Sequence, residues 1–410
     1  MAHLRSGLKA GILLTVAAAA FIVPNSAASS YEILHKFKGR DGSMPEGGLV
    51  FDASGNLYGV TPFGGAQGDG VVFQVIHHTD GSWTERVLHS FSGLDGWGPF
   101  RESLIFDGAR NLYGTTASGG TSYSGSGVVF KLAPNGDGSW TESVLYNFSG
   151  GSDGDGPLSG LTFDGAGNLY GMAGGGTGGT GVVFKLAPNT DGSWTESVVH
   201  NFDHDKDGEG PQAALIVDSA GNLYGTTFDG GPGLGGVVFK LSPELDGSWS
   251  ETVLHSFSPG AGGYFPRCTL VFDKAGNLYG TTSAGGAQGF GVVFELVPDG
   301  RGGWTEKILH NFTGSLNGGT PFAGVSIDAS GNLYGATTVG GSANLGVIYK
   351  MTPHGDGSWT YQGLHAFQGK PAGYPYDAPV VDKAGNLYGT AWECGKGIPA
   401  CHGVVFKITQ

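Results

Sequence analysis

The amino-acid sequence predicts an all-β protein, a seven-bladed β-propeller whose blades are four-stranded antiparallel sheets and whose ring is closed by the N-terminal strand. Three observations lead to this prediction. The phrase Leu-x-Phe-Asp-x-x-Gly-Asn-Leu-Tyr-Gly-Thr-Thr returns seven times, at intervals of 54 to 57 residues. Each interval holds four short runs with strand character and none with helical character. The last unit lacks its fourth run, and a spare copy precedes the first unit. Repeats of four antiparallel strands are typical of propellers.

The repeat units are marked by an asparagine: Asn56, Asn111, Asn168, Asn222, Asn277, Asn332 and Asn386. The chain of 410 residues contains 80 glycines and 19 prolines, a proportion that would indicate low complexity in a chain without regular apolar runs. Because such runs lie between the glycines throughout, the glycines indicate turns. The sequence therefore predicts one large closed domain over residues 29–410.

Four strands follow one another in each unit. The first is a short apolar run that ends in aspartate, as in Leu49-Val-Phe-Asp52. A tight turn leads to the second, Asn-Leu-Tyr-Gly-Thr-Thr, and a glycine-rich loop of variable length leads to the third, Gly-Val-Val-Phe-Lys-Leu. A hairpin with the sequence Asp-Gly-Ser-Trp leads to the fourth strand, Trp-Thr-Glu-x-Val-Leu-His-x-Phe. These runs are rich in Val, Phe, Tyr and Thr, which favour strands.

The aspartate that ends the first strand recurs in every unit: Asp52, Asp107, Asp164, Asp218, Asp273, Asp328 and Asp382. We expect its carboxylate to accept hydrogen bonds from the amides of the following turn. The glycine before the repeat asparagine is expected at positive φ. Arg110 takes that place in the second unit, so this turn is expected to be strained by about 1 kcal/mol.

The two ends of the chain predict how the ring closes. Residues 31–37 match the fourth strand, and residues 403–410 match the third. Pairing of residues 31–37 with residues 403–409 would complete the seventh blade and remove two exposed sheet edges. The tryptophans of the hairpins and the histidines of the fourth strands recur beside valine and phenylalanine, so we expect both to pack rather than to bind a ligand.

The first 28 residues are predicted to be a secretory signal peptide. A short basic stretch with Arg5 and Lys9 precedes an apolar run over residues 10–23, and Ser26-Ala27-Ala28 offers small residues for cleavage. The apolar run is short for a membrane span, and no later stretch could cross a membrane. We therefore expect a secreted or periplasmic monomer with no membrane span in its mature part. The net charge of −14 argues against nucleic acid as a partner.

The sequence contains three cysteines. Cys394 and Cys401 bracket one short insertion in a chain predicted to be exported, so a disulfide between them is expected. Cys268 is left over and is expected to be a buried thiol.

The phrases Gly-Asn-Leu-Tyr-Gly-Thr-Thr, Gly-Val-Val-Phe-Lys-Leu and Val-Leu-His-Ser-Phe together resemble the GloVer tandem repeat of exported bacterial proteins, also called choice-of-anchor repeat proteins. The resemblance covers nearly the whole chain after residue 28. It implies export and a repeat architecture, and it implies no activity for any residue. Many relatives carry a C-terminal anchoring segment. Because this sequence stops on a third strand at Gln410, release rather than anchoring is expected.

Function is expected where the repeat is broken, on the face that carries the long, variable loops. The first break is Asp203-His-Asp205-Lys-Asp207-Gly208, whose carboxylate spacing resembles the first half of an EF-hand loop. Ala214 stands where a bidentate glutamate would complete such a loop. The segment therefore predicts either a structural Ca²⁺ ion held by Asp203, Asp205 and Asp207 or a solvated acidic turn.

The second break is the insertion of the last unit, and both it and the third break predict a ligand site at the same face. The third break is the set of residues that enter the first strands: Glu46, Arg101, Glu102, Leu158, Gln212, Arg267, Phe322, Tyr376 and Asp377. The insertion of the last unit carries Trp392 and Glu393 beside the expected disulfide. Blades seven, one and two adjoin in a closed ring, which brings the following residues to one sector: Glu46, Trp97, Arg101, Glu102, Tyr376, Asp377, Trp392 and Glu393. Aromatic faces beside carboxylates and an arginine suit a sugar, whose C–H faces stack and whose hydroxyls need partners. The alternative is that these residues satisfy one another's charges.

The sequence thus favours a secreted, non-catalytic propeller that acts as a binding or scaffold protein, with a glycan or a cell-surface protein as its partner. The alternative is a metal-assisted enzyme on the same ring, such as a lactonase or a polysaccharide lyase. Such chemistry needs a metal or a base near the channel. No motif for a catalytic residue is present, so no catalytic residue is predicted, and calcium is the expected cofactor.

Overall fold

The structure of the protein is a computed structural model that describes residues 30–101, 103–260, 262–370, 372–393 and 401–410. These residues form 28 strands, β1 to β28, in seven antiparallel sheets of four strands each, with no helix. In each sheet the first, second, third and fourth strands of a unit lie side by side in that order. The predicted fold class, a seven-bladed β-propeller, is confirmed. The predicted signal peptide, residues 1–28, lies outside the described residues.

The first strands are β2 (Val50–Phe51), β6 (Ile105–Phe106), β10 (Thr162–Phe163), β14 (Ile216–Val217), β18 (Val271–Phe272), β22 (Val325–Ile327) and β26 (Val380–Val381). The second strands are β3 (Leu57–Thr61), β7 (Leu112–Thr116), β11 (Leu169–Ala173), β15 (Leu223–Thr227), β19 (Leu278–Thr282), β23 (Leu333–Thr337) and β27 (Leu387–Ala391).

The third strands are β4 (Val71–His77), β8 (Val128–Pro134), β12 (Val182–Pro188), β16 (Val237–Pro243), β20 (Val292–Pro298), β24 (Val347–Pro353) and β28 (Val404–Thr409). The fourth strands are β5 (Trp83–Ser90), β9 (Trp140–Asn147), β13 (Trp194–Asn201), β17 (Trp249–Ser256), β21 (Trp304–Asn311), β25 (Trp359–Ala366) and, for the seventh blade, β1 (Ser30–Lys36). The first strands are the shortest because the turn aspartate ends them.

The ring closes as the chain ends predict. Strand β1 pairs antiparallel with β28, from Ser30 opposite Thr409 to Lys36 opposite Val404. The seventh blade therefore contains the first and the last strand of the chain. Closure continues towards the channel, where the Thr390 hydroxyl of blade seven donates to the Gly47 carbonyl of blade one at 3.1 Å.

The hydrophobic core lies between the blades. Each of seven buried clusters combines side chains of two successive blades. The cluster that joins blade seven to blade one packs Phe37, Tyr388 and Val405 against Leu57 and Phe73. A blade covers its two apolar faces only with two neighbours, so closure buries the faces that an open row of blades would expose.

The turn after each first strand is built on its aspartate, as expected. Asp52 accepts the backbone N–H of Ser54 and Asn56, the Asn56 side-chain amide and the Tyr58 hydroxyl, at 2.7 to 3.1 Å. The other six units repeat these contacts. Arg110 has φ +67°, against +85° for its counterpart Gly167, so the unfavourable conformation expected of Arg110 is present.

Histidines of the fourth strands pack as expected and also hold the following loop. The ring of His89 lies edge-on to Phe91, and its Nε2 lies 3.0 Å from the Asp95 carboxylate. That carboxylate also accepts the Ser92 backbone N–H. The same arrangement links His35 to Asp41 and His200 to Asp207. The spacing of six or seven residues between histidine and aspartate is the sequence signal for this contact.

Of the two predictions about cysteines, the structure confirms one and does not test the other. Cys268 is a buried free thiol, as expected, and its Sγ accepts the Thr281 backbone N–H at 3.3 Å. Cys394 lies outside the described residues, so its disulfide with Cys401 stays a prediction. Within the described ranges, no helix has the length and apolar character that a membrane span requires.

Candidate functional site

One position of the repeat faces the mouth of the channel in the successive blades. It lies ten residues before the repeat asparagine and carries Glu46, Arg101, Leu158, Gln212, Arg267, Phe322 and Tyr376. Six of these seven side chains, all but Leu158, line a cavity of about 330 Å³. The strands around this position are nearly identical from unit to unit, whereas the position itself carries an acid, two arginines, an amide, two aromatic rings and a leucine. A symmetric scaffold therefore presents an asymmetric set of side chains.

Arg101 and Glu46 form an ion pair on one side of this mouth. Arg101 Nε lies 3.5 Å from Glu46 Oε2. Burial raises the pKa of the Glu46 carboxyl, and the charge and hydrogen bond of Arg101 oppose that increase. Arg101 has φ +50°, a left-handed conformation that costs a non-glycine residue energy. Such strained residues concentrate at functional sites.

Arg267 lies on the other side, between two aromatic rings. Its guanidinium carbon is 3.9 Å from the centroid of Phe228 and 5.3 Å from that of Phe322. Its Nη1 donates to the Gln212 amide oxygen at 3.3 Å, whereas its buried Nε has no partner among the described residues. Burial and then the nearby charge of Arg101 lower the pKa of Arg267 to about 10.

Below the mouth, three blades meet around Gly48. A Cβ at Gly48 would lie 2.3 Å from Ser103 Oγ and 2.4 Å from Asp377 Oδ2. The Asp377 carboxylate accepts the Ala378 N–H at 2.7 Å. Asp377 is surrounded by protein and reaches solvent through the channel. Burial raises its pKa to about 6, against the opposing hydrogen bonds of Ala378 and Ser103. The absence of a side chain at Gly48 therefore lets blades seven and two approach each other.

A family model of the Gloeobacter/Verrucomicrobia repeat matches residues 18–232 and residues 176–406. Together these two matches span nearly the whole chain. The protein belongs to this repeat family.

Two solved structures are similar to this Gloeobacter/Verrucomicrobia repeat protein. One is a protein of unknown function from Dyadobacter fermentans, with 11% sequence identity and a TM-score of 0.41, over 94% of this chain and 100% of that chain. The other is a mutant of AofleA from Arthrobotrys oligospora, with 12% identity and a TM-score of 0.44, over 82% of this chain and 90% of that chain. No match was found among curated proteins.

The sector predicted for the ligand is only partly assembled in this repeat protein. Glu46, Arg101, Tyr376 and Asp377 line the cavity, and Glu102 lies outside the described residues. Trp392 supports the wall, because its ring contacts those of Tyr374 and Tyr376 edge-on at 6.2 and 6.0 Å. Trp97 instead pairs through its backbone with Ser118. Glu393 lines a second cavity, of about 480 Å³, with Leu345, Lys370 and Tyr374.

The predicted ligand sector was limited to blades seven, one and two and left out the opposite blades. Gln212, Arg267 and Phe322 enter the same cavity from blades four, five and six. The signal was available, since these residues share one repeat position with Glu46 and Tyr376. The role of Phe228 was not predictable in this way, because it lies in a glycine-rich loop whose length varies between units.

The carboxylates of the acidic loop of the repeat protein make separate contacts. Asp207 is buried, with its Oδ2 2.7 Å from His200 Nε2 and its Oδ1 bonded to the Asp203 N–H. The side chain of Asp203 instead accepts the Lys206 ammonium at 2.7 Å, and Asp205 is exposed. Calcium binding would therefore have to displace Lys206 and His200, and it stays a prediction.

Among the described residues, one group of three potential metal ligands has its ligand atoms within 4.8 Å of one another: His35, Asp41 and Glu85. It lies at the outer junction of blades seven and one and does not line the channel cavity. His35 and Asp41 form the contact between fourth strand and loop seen in other blades, so a structural role accounts for two members of the group.

Proposed function

We propose that this protein is an exported, non-catalytic propeller that recognises carbohydrate at the mouth of its channel. One observation supports this proposal above the others: a repeat position whose side chain differs in size, charge and aromatic character from blade to blade lines the cavity in six of the seven blades. Its volume of about 330 Å³ falls within the range of small-molecule sites, roughly 300–1,000 Å³. Export rests on the predicted signal peptide.

The chemistry of the lining suits a sugar. Phe322 and Tyr376 offer aromatic faces for C–H groups, and their rings lie 5.5 Å apart. The arginines donate hydrogen bonds, and the carboxylates of Glu46 and Asp377 accept them from hydroxyl groups. A concave apolar surface with a few fixed polar groups is the usual form of such a site.

One observation favours the enzyme alternative. Asp377 is a half-buried carboxyl in the wall of the channel cavity, and its pKa of about 6 lies in the range of a general base near neutral pH. A metal-assisted lactonase or a polysaccharide lyase would need such a group. A stoichiometric transition metal in the purified protein, or turnover of a lactone or polyuronate that Asp377→Asn abolishes, would favour the enzyme over the binding protein.

A glycan array tests the proposal. The purified protein should bind at least one class of glycan, and Phe322→Ala and Tyr376→Ala should each weaken that binding about tenfold or more, because each removes a stacking face. The matched control is Tyr123→Ala, which removes an exposed aromatic side chain outside the cavity. Absence of binding to every glycan, or unchanged binding by both cavity variants, would refute the proposal.

A further inference from the structure

Arg267 is a half-buried cation without an anionic partner in the described part of the chain. Within the described residues, no carboxylate lies within 4.0 Å of its guanidinium nitrogens. Among the described residues, its guanidinium donates one hydrogen bond, to the neutral amide of Gln212, and its Nε donates none. A cation removed from water is normally paired with an anion, because its desolvation is otherwise uncompensated.

The surroundings hold Arg267 in place rather than neutralise it. Phe228 and Phe322 both lie close to the guanidinium, an arrangement that restricts its orientation. Nε is buried, so a ligand in the cavity would have to bind the terminal nitrogens, Nη1 and Nη2. The second guanidinium, that of Arg101, lies 5.4 Å from the centroid of the same Phe322 ring. Two cations therefore approach one ring, while Glu46 compensates only Arg101. These two guanidinium groups at one cavity stand out in a chain whose net charge is −14.

We propose that the sugar bound at the mouth is acidic, and that its carboxylate binds Arg267. This inference rests on the proposed function and specifies its ligand class. The two terminal nitrogens of a guanidinium match the two oxygens of a carboxylate in geometry, and a charge-assisted pair of this kind is stronger than a neutral hydrogen bond. The ligand supplies the negative charge that the described residues do not place beside Arg267.

The distribution of charged groups around the mouth also favours one orientation of such a ligand. Arg267, Gln212 and Phe322 come from blades five, four and six, whereas Glu46 and Asp377 come from blades one and seven. A sugar whose carboxylate faces Arg267 turns its hydroxyl groups towards Glu46 and Asp377, which can accept hydrogen bonds from them. The reverse orientation would bring carboxylate against carboxylate and is disfavoured.

Isothermal titration with simple sugars tests the inference. The probes are D-glucuronate and D-galacturonate, each compared with its neutral parent, D-glucose or D-galactose, at low ionic strength. We expect at least one uronate to bind about tenfold or more tightly than its parent. Arg267→Ala should reduce this preference to about twofold or less, and Arg267→Lys should retain part of it because the charge stays while the forked geometry is lost. Arg301→Ala, which removes an exposed arginine of a distant hairpin, should leave it intact.

The outcomes separate the two proposals. Equal affinity for the acidic and neutral sugars would overturn the inference and leave carbohydrate recognition standing. Absence of binding for all four monosaccharides and for their oligosaccharides would overturn both. Acetate binding as tightly as a uronate would overturn the acidic-sugar inference in favour of a simple anion site. Melting curves of the variants establish that each is folded, and a retained preference in folded Arg267→Ala would also contradict the inference.

Discussion

Arg110 shows at the residue scale how the repeat tolerates a single exception. It occupies the turn position that is glycine in the other six units, and it keeps the turn of its blade with φ +67°. The Asp107 carboxylate still accepts the N–H groups of Ala109 and Asn111. The hydrogen bonds of the turn therefore impose a backbone conformation that the side chain disfavours.

Replacing Arg110 with glycine should stabilise the protein. We expect the free energy of unfolding to rise by about 1 kcal/mol, because glycine adopts positive φ without a steric penalty. Thermal or denaturant unfolding measures the change. The matched control is Gly167→Ala in the next blade, where an added Cβ would meet nothing within 4 Å. This substitution should lower the free energy of unfolding, because alanine disfavours the positive φ of this turn. Destabilisation by Arg110→Gly would contradict this account of the turn.

Five glutamates of the fourth strands each place a carboxyl with one buried oxygen at a blade junction: Glu85, Glu142, Glu196, Glu251 and Glu306. Burial raises the pKa of each to about 7, and one oxygen of each is buried without a hydrogen-bond partner in the described structure. The folded state therefore binds a proton more tightly than the unfolded chain does. Each of these groups lowers stability as the pH rises from about 4.5 through about 7.

Glu306→Gln should remove this pH dependence at one junction. At pH 8 the variant should be more stable than the wild type by about 1 kcal/mol, after allowance for the remaining exposure of the side chain. At pH 5 the difference should shrink, because the wild-type carboxyl is then protonated in the folded state. Melting temperatures at the two pH values measure the effect, with the exposed Glu32→Gln as control. Equal effects at both pH values would contradict the shifted pKa.

At the scale of the element, the fourth strand and the loop after it form one unit. His200 holds Asp207, which in turn accepts the Asp203 N–H. The acidic loop, which sequence reasoning treats as a break in the repeat, therefore keeps the contact seen at Asp41 and Asp95. What breaks the repeat is the added charge of Asp203 and Asp205.

Substitutions in this loop should separate its structural carboxylate from the others. We expect Asp207→Ala to lower the free energy of unfolding by about 1–3 kcal/mol even with a chelator present, because it removes the buried carboxylate that accepts the Asp203 N–H and contacts His200. Asp205→Ala, at an exposed position, should change it by about 0.5 kcal/mol or less under the same conditions. Equal losses in the two variants would contradict the assignment.

Asp205→Ala also tests whether the loop binds calcium. If an ion binds between these carboxylates, the melting temperature of the wild type rises with calcium concentration, and Asp205→Ala removes that dependence. Identical melting curves of the wild type with calcium and with chelator would refute the ion, and the loop would then be an acidic turn.

At the scale of the whole molecule, closure of the ring determines stability. Without strand β1, the edge of β28 loses its partner and the cluster between blades six and seven loses Tyr31 and Ile33. Deleting residues 30–36 should lower the melting temperature by roughly 5 °C or more. A synthetic peptide of these residues added in trans should restore part of it, whereas a scrambled peptide should not. An unchanged melting temperature in the truncated protein would show that closure contributes little.

The sequence predicts the ring and its closure because both follow from periodicity. Repeated phrases determine the strand order, and the offset of the chain ends determines the pairing of β1 with β28. The site is less predictable, because it depends on which blades meet across the channel rather than on which are adjacent in the chain. Tyr376 and Arg101 were predicted because they belong to blades seven and two, which both adjoin blade one in the closed ring. Arg267 was left out because the predicted sector covered only blades seven, one and two, whereas Arg267 belongs to blade five and reaches the same cavity from across the channel.

The most direct test of the central claim is a crystal structure of the protein with a sugar that it binds on the array or in titration. The account predicts density for the sugar in the channel mouth, against Phe322 and Tyr376, with a carboxylate at Arg267. Density confined to the outer blade junctions, with the mouth containing solvent alone, would contradict it.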